Sequence, residues 1–278
     1  MLQFSALPDL PTNPSSPSVL VPTMGALHEG HSALIRRARE IAGRQGIVTV
    51  SIFLNPLQFD SASDLAVYPR TLEADLLLCS GLGVDKVYTP SPEEFYAPDH
   101  SISIVENSLS RTLCGTTRPG HFEGVCTVVL KLLNALRPSA AIFGKKDYQQ
   151  LAIIMRLVRD LCVPVEIYGV ETEREPDGLA LSSRNLNLNP EHRKDASRIY
   201  GALLSARDIR ETGEQRREVY LQTARKHLVE NAPSEMGIEY LELVDRETLA
   251  PLAKVTRPAL LATAITYDKI RLIDNIEI

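Results

Sequence analysis

Short apolar runs alternate along most of the chain with longer stretches whose apolar residues recur at helical spacing. Residues 18–21 form a β-branched run, and in residues 32–39 the apolar positions fall on one helical face. Residues 47–53 are nearly continuous in apolar side chains, as a strand buried on both faces requires. A helix is predicted over 71–80, stopped by Gly81-Leu82-Gly83, then a strand over 84–88 and a short one over 101–105. A long helix over 120–136 ends at Pro138; a strand at 140–143, a helix at 148–161 and a strand at 165–170 follow. This alternation predicts a Rossmann-like, doubly wound parallel α/β sheet with helices on both faces, whose ligands lie beyond the carboxyl ends of its strands.

After Asn185 the pattern changes. Long charged helical stretches over 190–211 and 214–231 precede strands at 238–244 and 259–267 and a final run at 270–278, which reads as a smaller α+β domain. The expected division is therefore 1–188, a parallel α/β domain, and 189–278, a small C-terminal α+β domain. Residues 1–17, with Pro8, Pro11, Pro14 and Pro17, read as an irregular lead-in.

Composition narrows the picture. A chain of 278 residues with 44% hydrophobic and 23% charged residues is ordinary for a soluble globular protein, and a net charge of −5 argues against a broad nucleic-acid surface. Any anion site must be local. No apolar run reaches the roughly 18 residues of a membrane span, and no signal peptide is evident. Cys79, Cys114, Cys126 and Cys162 lie scattered in apolar runs, which favours reduced thiols and a cytoplasmic setting.

The densest chemistry is Met24-Gly25-Ala26-Leu27-His28-Glu29-Gly30-His31, a glycine-bearing turn between the first core strand and its helix. Open N–H groups and the helix dipole suit a phosphate there, and two imidazoles can donate to its oxygens. The H-x-G-H core also reads as a plain turn with surface histidines; a metal site fits less well, since no third ligand is near. Nucleotidyl transfer requires further phosphate-binding residues downstream, and several candidates follow.

Asn55 and Gln58, after the second core strand, offer amides to a hydroxyl or carboxylate, although Asn55-Pro56 is equally turn chemistry. Tyr68-Pro69-Arg70 and Asp75 follow; Arg70 is placed to reach an anion, and Asp75 is a candidate Mg²⁺ ligand on ATP phosphates or simply part of a solvated helix face. Arg118 and His121 crowd a glycine-rich helix start. Gly144-Lys145-Lys146-Asp147 follows a buried strand, where lysines are costly unless they meet an anion. Leu181-Ser182-Ser183-Arg184 offers hydroxyls and a guanidinium for phosphate oxygens.

The ordered blocks PTMGALHEGH, NPLQF, YPRT, RPGHFEGV, GKKDYQQL and DGLALSSRN resemble the pantoate–β-alanine ligases of the H-x-G-H nucleotidyltransferase superfamily. That resemblance implies ATP-dependent condensation of (R)-pantoate with β-alanine through a pantoyl adenylate, releasing AMP and pyrophosphate, with Mg²⁺ accompanying ATP. By the same resemblance, Met24, Gly25, Ala26, Leu27, His28, Glu29, Gly30 and His31 hold ATP, His31 being the proton donor and His28 its partner. Gly144, Lys145, Lys146, Asp147, Val170, Leu181, Ser182, Ser183 and Arg184 complete the ATP site, with Lys146 and Arg184 counted as catalytic. Gln58 and Gln150 grip pantoate, and Asn55 and Arg118 join the substrate-binding set. The family also implies a cytoplasmic homodimer whose small C-terminal domain acts as a mobile lid. Three departures stand out: the lead-in replaces an extra N-terminal element, Lys145 stands where Glu is common, and Glu171 stands where Pro is common. A different H-x-G-H adenylyl- or cytidylyltransferase, acting on a phosphorylated substrate, is the alternative; it needs the phosphate sites and not the paired glutamines.

Overall fold

The structure is a computed structural model and describes residues 1–6, 16–59 and 62–278. In chain order its elements are β1 (Leu2–Phe4), β2 (Ser18–Thr23), α1 (Glu29–Ala42), β3 (Ile47–Ile52), α2 (Ala62–Val67), α3 (Leu72–Gly81), β4 (Lys86–Tyr88) and α4 (Pro92–Phe95). Then come α5 (Cys114–Thr117), α6 (His121–Leu136), β5 (Ala140–Gly144), α7 (Tyr148–Asp160), β6 (Glu166–Val170), α8 (Pro190–Asp195), α9 (Arg198–Asp208), α10 (Arg217–Val229), β7 (Met236–Asp245), β8 (Ala259–Tyr267) and β9 (Ile270–Glu277).

The chain divides into two compact units: 1–106, 118–145 and 150–171 in the first, and 107–117, 146–149 and 172–278 in the second. The first unit holds a six-stranded sheet of order β1-β4-β3-β2-β5-β6, with every pairing parallel. From β2 the chain steps outward through β3 and β4, then restarts on the other side of β2 with β5 and β6. The carboxyl ends of β2 and β5 thus flank the switch point at which such sheets bind ligands. Val19 and Val21 of β2, Val48 and Val50 of β3 and Ile142 of β5 pack against Ile35, Ala38 and Ala42 of α1 in one core. Ile35 is fully buried, so its truncation to alanine would cost about 2–5 kcal/mol.

The second unit is built on an antiparallel sheet, β7-β8-β9. Its core takes Ala202, Leu203 and Ala206 from α9, Tyr220, Ala224 and Leu228 from α10, and Leu241, Leu261 and Ile265 from the sheet. Leu179 belongs to this same core, which is why the compact units part after Glu171, earlier than the composition change expected at 188.

Three expectations are corrected. Residues 2–4 are a strand: β1 pairs with β4, and Phe4 stacks on Tyr88 with centroids 5.1 Å apart. Three residues are too short to display an alternation, so only the partner reveals the strand; the rest of the lead-in, 7–15, lies outside the described residues. Residues 101–105 form no strand: the Ile104 N–H donates to Thr127 Oγ1 of α6 at 2.9 Å, so a side chain takes the place of a ladder. The stretch 190–211 is broken into α8, α9 and a 3-10 turn over Ile209–Thr212, closed by Gly213 at φ 80°.

Candidate active site

β2 ends at Thr23, and the chain then takes consecutive left-handed residues, Gly25 at φ 82° and Ala26 at φ 50°. Glycine adopts that conformation freely, whereas alanine does so at a cost of roughly 1–2 kcal/mol. Asp75 of α3 supplies the compensation. Its Oδ2 accepts the Ala26 N–H at 3.0 Å, its Oδ1 accepts the Leu27 N–H at 2.9 Å, and the Thr71 hydroxyl donates to Oδ1 at 3.1 Å. The carboxylate is 2% exposed and committed to the backbone on both oxygens. In this geometry Asp75 holds the turn in shape. Among the described residues no group of three or more His, Cys, Asp or Glu side chains is placed to hold a metal ion.

The turn delivers the chain to α1, whose N-cap is His28. Its Nδ1 accepts the Gly30 N–H at 3.2 Å, and Nδ1 of His31 reaches back to accept the His28 N–H at 3.2 Å, a reciprocal capping box made by two imidazoles. Because each Nδ1 accepts, the proton of each neutral ring sits on Nε2. The rings lie 4.2 Å apart, centroid to centroid. Both therefore carry Nε2–H donors at the amino end of a helix, where the dipole favours an anion. Met24, Glu29 and Gly30 lie in this same turn; Glu29 pairs with Arg36 at 2.6 Å on the solvent side.

At the end of β3, Asn55 caps the 3-10 turn Pro56–Gln58. Expected to bind substrate, Asn55 is instead 1% exposed and fully occupied. Its Nδ2 donates to Gln58 Oε1 and to the Gly124 carbonyl, each at 3.1 Å. Its Oδ1 accepts from Leu57 N at 3.3 Å and from the Tyr96 hydroxyl at 2.9 Å. The consequence falls on Gln58: with Oε1 held by Asn55, its Nε2 is turned toward Met24 Sδ. Arg118, also expected on substrate, donates from Nη2 to the Gln58 carbonyl at 3.2 Å.

The end of β5 presents Gly144 and Lys145, with Gly144 paired to Val170 of β6. Lys145 forms an ion pair with Glu171. Of the adjacent glutamines in α7, Gln149 spends its carboxamide on the backbone of Leu109, Thr112 and Cys114. The Gln150 side chain has no hydrogen-bond partner among the described residues.

Within the second unit, Lys146, Ser182, Arg184, Asn185, Arg271 and Asp274 line one small cavity. Lys146 Nζ lies 3.8 Å from Asp147. Leu181 N–H donates to the Glu173 carbonyl at 2.9 Å, and Ser182 caps the following 3-10 turn by accepting the Arg184 N–H at 3.2 Å, which places Ser183 in its first position. Sequence reasoning missed Asn185, Arg271 and Asp274. Asp274 is bound bidentately by Arg174 at 2.6 and 2.9 Å, and burial raises its carboxyl above the ordinary range despite that partner. A pair one hundred positions apart leaves no local signal.

A doubly wound parallel sheet whose switch point carries a strand, a left-handed turn and an imidazole-capped helix defines an H-x-G-H nucleotide-binding enzyme. The family profile described as pantoate-beta-alanine ligase matches residues 9–277. The pantothenate synthetase of Akkermansia muciniphila is 54% identical over 260 residues, covering 94% of this chain and 92% of its own. The crystal structure of pantothenate synthetase from Thermus thermophilus superposes with a TM-score of 0.93 at 43% identity, covering 99% of each chain. A pantoate-beta-alanine ligase from Francisella tularensis, complexed with beta-gamma ATP and beta-alanine, matches with a TM-score of 0.78 at 32% identity, covering 99% of this chain and 97% of its own. The chain belongs to the pantoate–β-alanine ligase family, a family of carbon–nitrogen ligases. None of its described helices is long and apolar enough to cross a membrane.

Proposed function

We propose that this chain condenses (R)-pantoate with β-alanine at the expense of MgATP. A carboxylate does not react with an amine near neutral pH until it gains a leaving group. Pantoate's carboxylate attacks the α-phosphorus of ATP in line, pyrophosphate departs, and a pantoyl adenylate forms. The β-alanine amine then attacks the acyl carbon, the C–O bond to AMP breaks, and the amine proton passes to solvent. No protein nucleophile is required; the residues supply position and charge stabilisation.

In this reading the Nε2–H groups of His28 and His31 donate to the phosphate oxygens as negative charge accumulates on departing pyrophosphate. Lys146, Ser182, Ser183 and Arg184 take phosphate oxygens, each with the donor chemistry such oxygens require. Gly144, Lys145, Asp147, Val170 and Leu181 are assigned to the nucleotide, Asp147 on a ribose hydroxyl. Gln58 and Gln150 hold pantoate. Magnesium would enter with ATP as part of the substrate and would help neutralise the charge of its phosphates. A homodimer in the cytoplasm is proposed on the family resemblance, with four unbridged cysteines in keeping with that compartment.

The observation that carries this reading is the orientation of Gln58. Asn55 occupies Oε1, which leaves an N–H donor directed toward Met24 of the H-x-G-H turn. A neutral N–H donor serves a hydroxyl or one oxygen of a carboxylate, whereas a dianionic phosphoryl group calls for cations beside it. The test is AMP release from MgATP and pantoate, with and without β-alanine. AMP requiring both acids supports the ligase; its absence from folded protein redirects the search to phosphorylated substrates.

A further inference from the structure

We propose that Arg118 and His121 are positioning residues for Gln58, forming a two-donor clamp on its main-chain carbonyl. His121 Nδ1 lies 2.8 Å from that oxygen and Arg118 Nη2 lies 3.2 Å from it. A carbonyl only accepts, so His121 carries its proton on Nδ1. Arg118 only donates, and its Nη1 lies 3.2 Å from His121 Nε2, so Nε2 is the acceptor. The imidazole is thereby held neutral and in the opposite tautomer from His28 and His31.

The neighbourhood shows why a clamp is needed. Gln58 is the last residue of a single 3-10 turn, a short element with weak hydrogen bonds of its own. Its backbone N–H reaches the Asn55 carbonyl at 3.4 Å. What fixes it is the first turn of α6. Gly124 packs so closely that a Cβ there would sit 2.3 Å from the Leu57 carbonyl oxygen, and Gly120 starts the helix at φ 81°. His121 and Arg118 extend from that helix start to the next carbonyl along. With Asn55 holding the side-chain amide and the clamp holding the main chain, the Gln58 Nε2–H has one direction in which to point.

The proposal rests on the reading that Gln58 takes pantoate, and its test separates the two. For the clamp itself, ¹⁵N NMR of the imidazoles reads the tautomers: His121 is expected neutral with Nδ1–H. An Nε2–H or a doubly protonated ring at neutral pH overturns the clamp whatever the substrate proves to be. For its consequence, His121→Ala is expected to lower kcat/KM for pantoate by about 10- to 100-fold, the scale of a small misplacement of a binding group, with KM for ATP little changed. His121→Asn, whose amide can donate in place of Nδ1–H, is expected to restore most of the loss. An alanine variant that folds and keeps the wild-type kcat/KM for pantoate overturns the positioning role, as does an asparagine variant no better than alanine. A wild-type protein that ignores pantoate while His121 shows the Nδ1–H tautomer overturns the functional reading and leaves the clamp standing.

Discussion

Asp75 shows how a single carboxylate can shape the backbone of a distant turn. It sits in a helix face that sequence presents as solvated, yet it is buried and accepts the N–H groups of Ala26 and Leu27. Asp75→Asn keeps the shape and loses charge-assisted acceptance, so chemical denaturation should show a loss of about 1–3 kcal/mol. KM for ATP should rise with it, because the turn that presents His28 and His31 relaxes. Retained stability and ATP affinity would remove the role given to this residue. A second carboxylate gives a pH dependence. The Arg193 guanidinium, hydrogen-bonded at 2.6 Å, holds Asp177 below its ordinary 3.8, with partial burial opposing it. The folded pKa is depressed, so the stabilisation is present above 3.8 and disappears as pH falls through the lower folded value. Protection of the amide hydrogens of residues 173–181 should therefore decline in acid, and Arg193→Gln should move that decline to higher pH.

At the scale of elements, the contact between α6 and the 3-10 turn after β3 is a tight joint. Gly124 has an unremarkable helical backbone, and its requirement is space: a methyl group would meet Leu57 O at 2.3 Å and Gln58 N at 2.7 Å. Gly124→Ala should cost about 1–3 kcal/mol in thermal or chemical unfolding, against the small gain expected of alanine in an open helix. The strands tell a complementary story. β3 was legible because a strand covered on both faces is apolar throughout, while β1 was not, because its identity lies in the partner β4. Residues 101–105 had the alternation of a strand without a neighbouring backbone to pair with; Thr127 satisfies Ile104 instead.

At the scale of the molecule, thiol chemistry reports the integrity of both cores. Cys79, Cys114 and Cys126 are buried and Cys162 is exposed, and burial pushes Cys79 up to about 11 and Cys126 up to about 12. A thiol reagent at pH 8 should modify Cys162 rapidly and the others only after denaturant is added. Rapid reaction of a second thiol in native protein would show that a core opens more readily than its packing implies. MgATP offers a ligand-linked measure: at 100 times its Kd it should add about 2.7 kcal/mol to the stability of the folded state.

By itself the sequence determined the alternation of strand and helix, the parallel sheet, the smaller C-terminal α+β region and the chemistry of the H-x-G-H turn. Those features are local, since periodicity, glycine placement and side-chain type act within a few residues. Tertiary structure alone decided which candidates hold the scaffold. Asn55, Asp75 and Gln149 carry the same functional groups as binding residues, and only their partners, 40 to 69 positions away at the longest contact of each, show which parts of the scaffold they hold. The tautomers of His28, His31 and His121 are likewise properties of neighbours. So is the division of the units: Leu179 lies within the stretch that resembles the catalytic blocks, yet its side chain is buried in the core of the second unit, and burial is settled by the packing of the whole chain.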